Sequence, residues 1–216
     1  MESQLRVNNG QRLVFIGDSN TDTEYRTRFP PHGYGYVMFV ANMLAASHPE
    51  LQLDIINRGN DGDTVVDLAK RWQSDAIDLQ PDWLFVLIGT NDVAFRYLPD
   101  PDNKAVDDDT YVATLSRLLE DTRARTSARI TLIEPMPYEI PPGMSAEPNV
   151  ATERLCEHLA SLAQQHDCGL VPVRAALSEI MANGQAQGWY QNFNHPAFPG
   201  HAFIGQQVLR HLGWSF

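Results

Sequence analysis

The stretch Leu13–Asn20 reads Leu-Val-Phe-Ile-Gly-Asp-Ser-Asn, an apolar run that stops abruptly in a polar turn. Four apolar residues, two of them β-branched, predict a buried strand, and the Gly-Asp-Ser-Asn sequence predicts its end. Open α/β sheets bind ligands at the carboxyl ends of their strands, so a serine hydroxyl here is suited to be a nucleophile. The same polar residues also commonly cap turns and helices, and the motif alone does not separate the two interpretations.

The rest of the chain repeats this alternation of apolar strands and helical patterns. Because such alternation is typical of crossover connections between parallel strands, we predict one α/β domain over residues 1–216, with a mainly parallel five-stranded sheet covered by helices on both faces. The predicted strands are 12–16, 51–56, 83–88, 129–134 and 169–173, and the predicted helices are 33–47, 64–79, 108–125, 148–166, 173–183 and 199–212.

Composition excludes several classes of protein. Hydrophobic residues make up 43% and charged residues 20%, which is typical of a globular chain. The net charge is −11 and basic runs do not exceed pairs such as Lys70-Arg71, so we expect no nucleic-acid partner. No apolar run approaches the ~18 residues of a membrane span, and the polar N-terminus resembles no signal peptide, so a cytoplasmic location is expected.

The sequence gives no indication of a metal or a disulfide. Cys156 and Cys168 are too few for a disulfide framework and lack metal-ligand spacing, so both are predicted to be reduced packing residues. The acidic run 107–109 is predicted to open a helix, where negative charge favours the helix dipole.

Polar residues that carry chemistry gather where the first three predicted strands end. The turn 17–20 follows the first strand, 57–64 with Gly62 follows the second, and 89–92 (Gly-Thr-Asn-Asp) follows the third. In a parallel sheet these turns lie at one edge, and His195, before the last helix, is predicted to reach the same edge.

Hydrolysis of an ester through an acyl-enzyme needs a nucleophile, a base, and donors for the oxyanion. Ser19 is the candidate nucleophile and His195 the candidate base, since a neutral imidazole has a suitable pKa near pH 7. The candidate oxyanion donors are the backbone N–H groups of Ser19 and Gly62 and the side-chain amide of Asn91. A glycine suits a donor position because no side chain shields its N–H.

Gly17-Asp18-Ser19, Gly62, residues 89–92 and His195 together resemble the four signature blocks of the SGNH (GDSL-like) hydrolases, in the family's order. The resemblance covers residues 12–212 and is strongest to small bacterial esterases of the lysophospholipase L1-like kind. Gly62 rather than Gly59 matches the family's glycine, because Asp-Thr follows it. The resemblance implies a flavodoxin-like three-layer α/β/α sandwich and a serine esterase or lipase that uses no metal or organic cofactor.

One position departs from the family pattern. The family usually has an aspartate three residues before the histidine to orient it, and Asn192 stands there in this chain. Three interpretations follow: a Ser19–His195 dyad oriented by Asn192 or a backbone carbonyl, an acid recruited from elsewhere such as Asp22 or Asp92, or a catalytically impaired binding protein on the same scaffold.

The remaining conspicuous residues receive supporting roles. Asp18 and Asp92 are predicted to organise their turns, and His201 is predicted to be structural at the start of the last helix. Tyr34 is predicted to belong to the core, and five aromatic residues are predicted to border the pocket: Tyr25, Phe95, Tyr97, Tyr138 and Phe198.

The predicted substrate is a small acyl ester, favouring acetyl, of a soluble and carbohydrate-like alcohol. This follows from polar residues on the predicted rim, namely Arg26, Arg28, Asn60, Asp61 and Arg96. The alternative is a lysophospholipase or thioesterase that places longer acyl chains in a trough formed by the proline-rich segment 135–144. A flavodoxin-like nucleotide binder is disfavoured because the chain has no glycine-rich phosphate loop.

Overall fold

A computed structural model of the protein describes residues 5–97, 104–143 and 145–215. Its centre is a five-stranded sheet in the order β2-β1-β3-β4-β5, in which every neighbouring pair is parallel. This order is the flavodoxin-like one, and the predicted three-layer α/β/α sandwich is confirmed. The strands are β1 (Arg12–Gly17), β2 (Asp54–Gly59), β3 (Trp83–Leu87), β4 (Arg129–Ile133) and β5 (Gly169–Val171).

Helices fill the connections between the strands and follow the last one. Helix α3 continues into a π-helical turn, Gln73–Ile77. The helices are α1 (Ser19–Asp22), α2 (Tyr36–Ser47), α3 (Val65–Trp72), α4 (Thr90–Tyr97), α5 (Asp108–Arg125), α6 (Glu147–Gln165), α7 (Val173–Ala182) and α8 (Phe198–His211).

The central strands are apolar on both faces because helices cover both faces. On β1, Val14 and Ile16 point into a core shared with α3, α5 and α6. Leu13 and Phe15, which alternate with them, point into a second core shared with α2, α7 and α8. The Phe15 ring stacks on Phe85 of β3 with 4.6 Å between ring centroids. The apolar run at 13–16 therefore fixes the middle of the sheet.

The second strand lies three residues later than the sequence predicts. Its pairing with β1 runs from Arg12↔Asp54 to Gly17↔Gly59, so that Asn57 lies within the strand and not in the turn that follows it. Leu51 and Leu53 pack against the core without belonging to the strand. The predicted strand begins at Leu51 because apolar residues begin there. The observed strand begins at Asp54 because backbone pairing with β1 begins there.

Two short helices were predicted as turns. Helix α1 is only four residues long, and the first turn of α4 buries Thr90, Asn91 and Asp92. A buried helix start made of polar residues lacks the apolar period of 3.6 that identifies helices in a sequence. By contrast, α5 begins at Asp108 after the Asp107 cap, as the acidic run predicted.

Cys156 and Cys168 are free thiols, and Cys156 is buried, in agreement with their predicted packing role. Within the described ranges, no helix has the length and apolar character needed to cross a membrane. In the same residues, no three His, Cys, Asp or Glu side chains are grouped in a way that could hold a metal ion.

Candidate active site

The turns after β2, β1 and β3 lie side by side, because these three strands are neighbours in the sheet. The strand order reverses at β1, and open α/β sheets place their ligand crevice at such a point. Three hydrogen bonds join the turns: Asn60 N to Gly17 O at 2.9 Å, Asn20 Nδ2 to Thr90 Oγ1 at 3.2 Å, and Asn91 Nδ2 to Asp63 O at 3.0 Å.

Ser19 is the first residue of α1, directly after β1. Asp18 caps this helix, since its Oδ1 accepts the Asn20 N–H at 2.9 Å. At Gly17 the chain passes so close to β3 that a Cβ atom would lie 2.0 Å from the Leu87 carbonyl oxygen. The glycine therefore permits the close packing that carries Ser19 to the sheet edge, half-buried and open to the crevice.

His195 meets Ser19 although 176 residues separate them. Its Nε2 lies 2.9 Å from the Ser19 Oγ. Its Nδ1 lies 3.0 Å from the Oδ1 of Asn192, which also accepts the backbone N–H groups of Asn194 and His195. The two backbone N–H donors fix the orientation of the amide, so the ring nitrogen that faces its oxygen, Nδ1, carries the proton. The Nε2 lone pair is then free to accept the Ser19 hydroxyl proton.

Burial lowers the pKa of His195 below its usual value of 6.5, and the nearby Asp61 charge opposes this. Behind it lies His201, whose burial lowers its pKa to about 3, with a further contribution from His195. His201 packs edge-on against Tyr34, with 5.8 Å between ring centroids. It is 2% exposed at the start of α8, in agreement with its predicted structural place.

Three N–H groups predicted as oxyanion donors remain available in the described part of the chain. Neither the Ser19 nor the Gly62 backbone N–H donates to a protein acceptor there. The Asn91 amide uses one of its two hydrogens for the Asp63 carbonyl and retains the other. Gly62 has φ +75° in a turn closed by Asp63 N to Asn60 O at 3.3 Å, and a positive φ at this place favours glycine.

The two acids considered as replacements for Asn192 are engaged elsewhere. Both oxygens of Asp92 accept the Val65 N–H, at 3.0 and 3.2 Å, which joins the start of α3 to α4. Burial raises the pKa of Asp92 to about 7, and burial raises that of Asp18 to the same value. Asp22 pairs with Arg26 at 3.3 Å.

Arg71 and Asn57 support the site, although no motif in the sequence points to this role. The Arg71 guanidinium bonds Asp63 Oδ2 at 2.6 Å and Gly17 O at 2.8 Å, and so links the turns after β2 and β1. The Asn57 amide donates to Thr21 O at 2.7 Å, below the helix that presents Ser19. A strand boundary drawn at Gly59 would have placed Asn57 inside β2, next to the first strand. The predicted strand ends at residue 56, so Asn57 was assigned to the turn instead.

A cleft of about 520 Å³ opens at Ser19 and His195. Most of its lining residues carry polar or charged groups, and Tyr34 is the tyrosine among them, although its helical spacing predicts a place in the core. The five aromatic residues predicted to border the pocket do not line it. Tyr25 and Tyr138 are buried. Phe198 is 58% exposed, and its ring makes an edge contact with the ring of Tyr34. The cleft is lined by Ser19, Asp22, Thr23, Glu24, Arg26, Thr27, Tyr34, Asp61, Gln191, Asn192 and His195.

Known proteins resemble this chain over its whole length. An acetylxylan esterase of Geobacillus stearothermophilus is 32% identical over 98% of both chains. Its crystal structure superposes with a TM-score of 0.87. Its solved structures include catalytic mutants in which a serine, an aspartate or a histidine is replaced by alanine. LAE5, an alpha/beta hydrolase from the metagenome of Lake Arreo in Spain, is 31% identical with a TM-score of 0.86, covering 97% of this chain and 98% of LAE5.

The model of the GDSL-like lipase/acylhydrolase family matches residues 15–203. This span runs from β1, before Ser19, to α8, after His195. The chain therefore belongs to the GDSL-like lipase/acylhydrolase family.

Proposed function

We propose that this protein is a serine esterase that removes a small acyl group, acetyl above all, from a carbohydrate ester. The observation that carries the proposal is the 2.9 Å contact between Ser19 Oγ and His195 Nε2 in a cleft lined mainly by polar and charged residues. The acetylxylan esterase that resembles the chain over its full length supports the choice of acyl group and of alcohol.

The first half of the reaction forms an acyl-enzyme on Ser19. As the Oγ attacks the ester carbonyl carbon, its proton passes to the Nε2 of His195 and the carbonyl oxygen becomes an oxyanion. The N–H groups of Ser19 and Gly62 and the free Asn91 hydrogen are the donors for this oxyanion. The tetrahedral intermediate then collapses, the bond to the alcohol breaks, and the imidazolium gives its proton to the departing oxygen.

The second half repeats these steps with water. His195 takes a proton from the water as it attacks the acyl carbon, and the Ser19 oxygen leaves and regains a proton. No step requires a metal or an organic cofactor, because the chain's own groups move both protons and stabilise both oxyanions.

Asn192 acts in this mechanism as a neutral positioning residue. The usual aspartate both holds the histidine tautomer and stabilises the imidazolium. The Asn192 oxygen, 3.0 Å from Nδ1 and held by two backbone N–H groups, supplies the first of these effects. It brings no charge for the second. A working dyad with an orienting amide is therefore favoured over a recruited acid, since Asp92 and Asp22 are engaged elsewhere.

The cleft wall supports a hydroxyl-rich alcohol rather than a long acyl chain. Arg26 and Gln191 offer donors, and Tyr34 offers a ring face of the kind that packs on sugars. An apolar groove of about 420 Å³ between α2 and α8, lined by residues such as Met43 and Phe203, does not include Ser19. The whole chain, 1–216, is proposed to form one catalytic domain acting on a small-molecule ester.

Hydrolysis assays with matched variants test this proposal. Purified protein is given acetylated xylo-oligosaccharides and aryl esters of acetate, butyrate and octanoate. We expect the highest kcat/KM on acetyl esters, a loss of at least about 10³-fold in Ser19→Ala and His195→Ala, and no loss in Ser161→Ala, which removes an exposed hydroxyl from α6. Activity that rises with chain length contradicts the acetyl assignment. An inactive protein, or an active Ser19→Ala variant, contradicts the proposed mechanism.

A further inference from the structure

Asp61 lies in the wall of the cleft that contains Ser19 and His195. It occupies the turn closed by Asp63 N to Asn60 O, one residue before Gly62. The anchored ends of this turn hold the carboxylate at the mouth of the cleft, although the side chain itself is exposed. One turn thus presents both a candidate oxyanion donor and a negative charge.

Asp61 differs from the other carboxylates around the cleft because no cation of the described residues pairs with it. Asp22 pairs with Arg26 at 3.3 Å, and Glu24 pairs with Arg28 at 3.5 Å. For Asp61, by contrast, neither an ion pair nor a side-chain hydrogen bond occurs within the described residues.

Apart from Asp61 and these two paired carboxylates, the described cleft groups around His195 are cationic or neutral. Arg26 is cationic, and its guanidinium is held between Asp22 and Asn60 Oδ1. Tyr34 lies in the cleft wall, and behind the ring His201 stays neutral because burial lowers its pKa to about 3. Asn192 bonds the Nδ1 side of the ring without charge.

We propose that the Asp61 carboxylate stabilises the imidazolium of His195 from the cleft side, so that orientation and charge, usually combined in one aspartate, come from two residues. This deepens the proposed function and rests on it. During attack, the Ser19 proton moves to Nε2 and the ring gains a positive charge, while Asp61 keeps its own charge and exchanges no proton. The Asp61 field raises the pKa of His195 against the effect of burial. Asp61 acts electrostatically through His195 and needs no contact with the ester.

The charge acts through solvent and not through a direct contact, which sets the size of its effect. Exposed charge interactions of this kind contribute factors of about two to five and weaken as salt rises. A loss of this size in Asp61→Asn is expected at low ionic strength, and it should shrink towards none at about 1 M salt, where the screening length is about 3 Å.

The experiment compares wild type, Asp61→Asn and Glu120→Gln. Glu120→Gln removes the same charge from an exposed position near the end of α5. This end of α5 leads to the amino end of β4, whereas the cleft lies at the carboxyl ends of the strands. The His195 imidazole is titrated by NMR, which needs no turnover, and kcat/KM is measured against pH on an aryl acetate that has no sugar. We expect a lower His195 midpoint in Asp61→Asn, an acidic limb of kcat/KM moved the same way, and a two- to fivefold loss of kcat/KM. Glu120→Gln should match wild type.

A second background separates this proposal from substrate binding and from the proposed function. With Asn192→Asp, which places a carboxylate beside Nδ1, the effect of Asp61→Asn should become smaller, because the ring already has a countercharge. An unchanged His195 midpoint in Asp61→Asn overturns the proposal. If, in addition, the loss appears only with carbohydrate esters, Asp61 binds the alcohol instead. If wild type hydrolyses nothing, the proposed function fails, whereas the NMR midpoints still decide the role of Asp61.

Discussion

Replacing Asn192 by aspartate changes one charge 3.0 Å from the Nδ1 of His195 and leaves the shape of the side chain almost unaltered. In serine proteases the reverse change costs about 10⁴ in kcat, because the amide favours the wrong tautomer of the ring. Here the Asn192 oxygen already faces the ring, held there by the backbone N–H groups of Asn194 and His195. The variant therefore gains only the difference between a neutral and a charged hydrogen bond.

That difference is about 1–1.5 kcal/mol, because neutral hydrogen bonds contribute about 0.5–1.5 kcal/mol and charged ones about 1.5–3. Asn192 is exposed, so the lower end applies, and kcat/KM should rise by about fivefold to tenfold. The carboxylate also raises the pKa of His195, so the acidic limb of kcat/KM should move to higher pH. Wild type should thus retain more of its activity at low pH than the variant does.

The assay is kcat/KM for an aryl acetate across the pH range, for wild type, Asn192→Asp and Gln165→Glu. Gln165→Glu exchanges an amide for a carboxylate at the exposed end of α6, which leads to the amino end of β5, and should leave the profile unchanged. A gain of about 10³-fold or more would refute the reasoning, since it would mean that the amide does not hold the tautomer. An unchanged rate and an unchanged limb would show that Asn192 does not contact the working ring.

Three further outcomes follow from the contacts around the turns. Asn91→Ala should lower kcat by about 10²–10³ with a small change in KM, as measured on an aryl acetate, because it removes an oxyanion donor; a change confined to KM contradicts that role. Asp18→Asn should raise the urea midpoint by more at pH 8 than at pH 5. The folded protein holds a proton on Asp18 up to about pH 7 and the unfolded chain releases it near pH 3.8, so the stability of wild type falls as pH rises between these values. The cap to Asn20 survives in this variant. If the variant gains the same increase in urea midpoint over wild type at both pH values, that result speaks against a charged, buried Asp18. Arg71→Met should lower the free energy of unfolding by about 3 kcal/mol in urea titrations, since the Asp63 carboxylate loses its partner; a loss below about 1 kcal/mol contradicts the assigned linkage.

The sheet was predictable because its strands are apolar on both faces. The run at 13–16 predicts a buried strand, and the alternation of strands with long helices indicates crossovers and a mainly parallel sheet. Helix α5 was predicted with its correct bounds because Asp107 caps it and acidic residues fill its first turn. The apolar run and the helix cap depend on neighbouring residues in the chain, so a single sequence is enough to predict them.

Around Ser19, the sequence predicted which residue types carry the reaction, but not the contacts that support them. A nucleophile, a base and amide donors are each scarce enough to find, and the sheet topology brings their turns together. The support of Asn57 and Arg71 depends instead on the register of β2 and on packing between distant turns. Tyr34 was predicted in the core but lies in the wall of the cleft. Its position depends on the path of the irregular loop before α2, and hydrophobic periodicity does not predict such a path. A cytoplasmic location stays a prediction of the sequence.

The central claim, that His195 activates Ser19, is tested most directly by covalent labelling. The purified protein is treated with a fluorophosphonate, and the modified peptide is identified by mass spectrometry in wild type, Ser19→Ala and His195→Ala. We predict stoichiometric labelling of wild type on Ser19 and none in either variant, because an unactivated serine hydroxyl is a weak nucleophile. Absence of label on wild type, or equal labelling after removal of His195, would contradict the account.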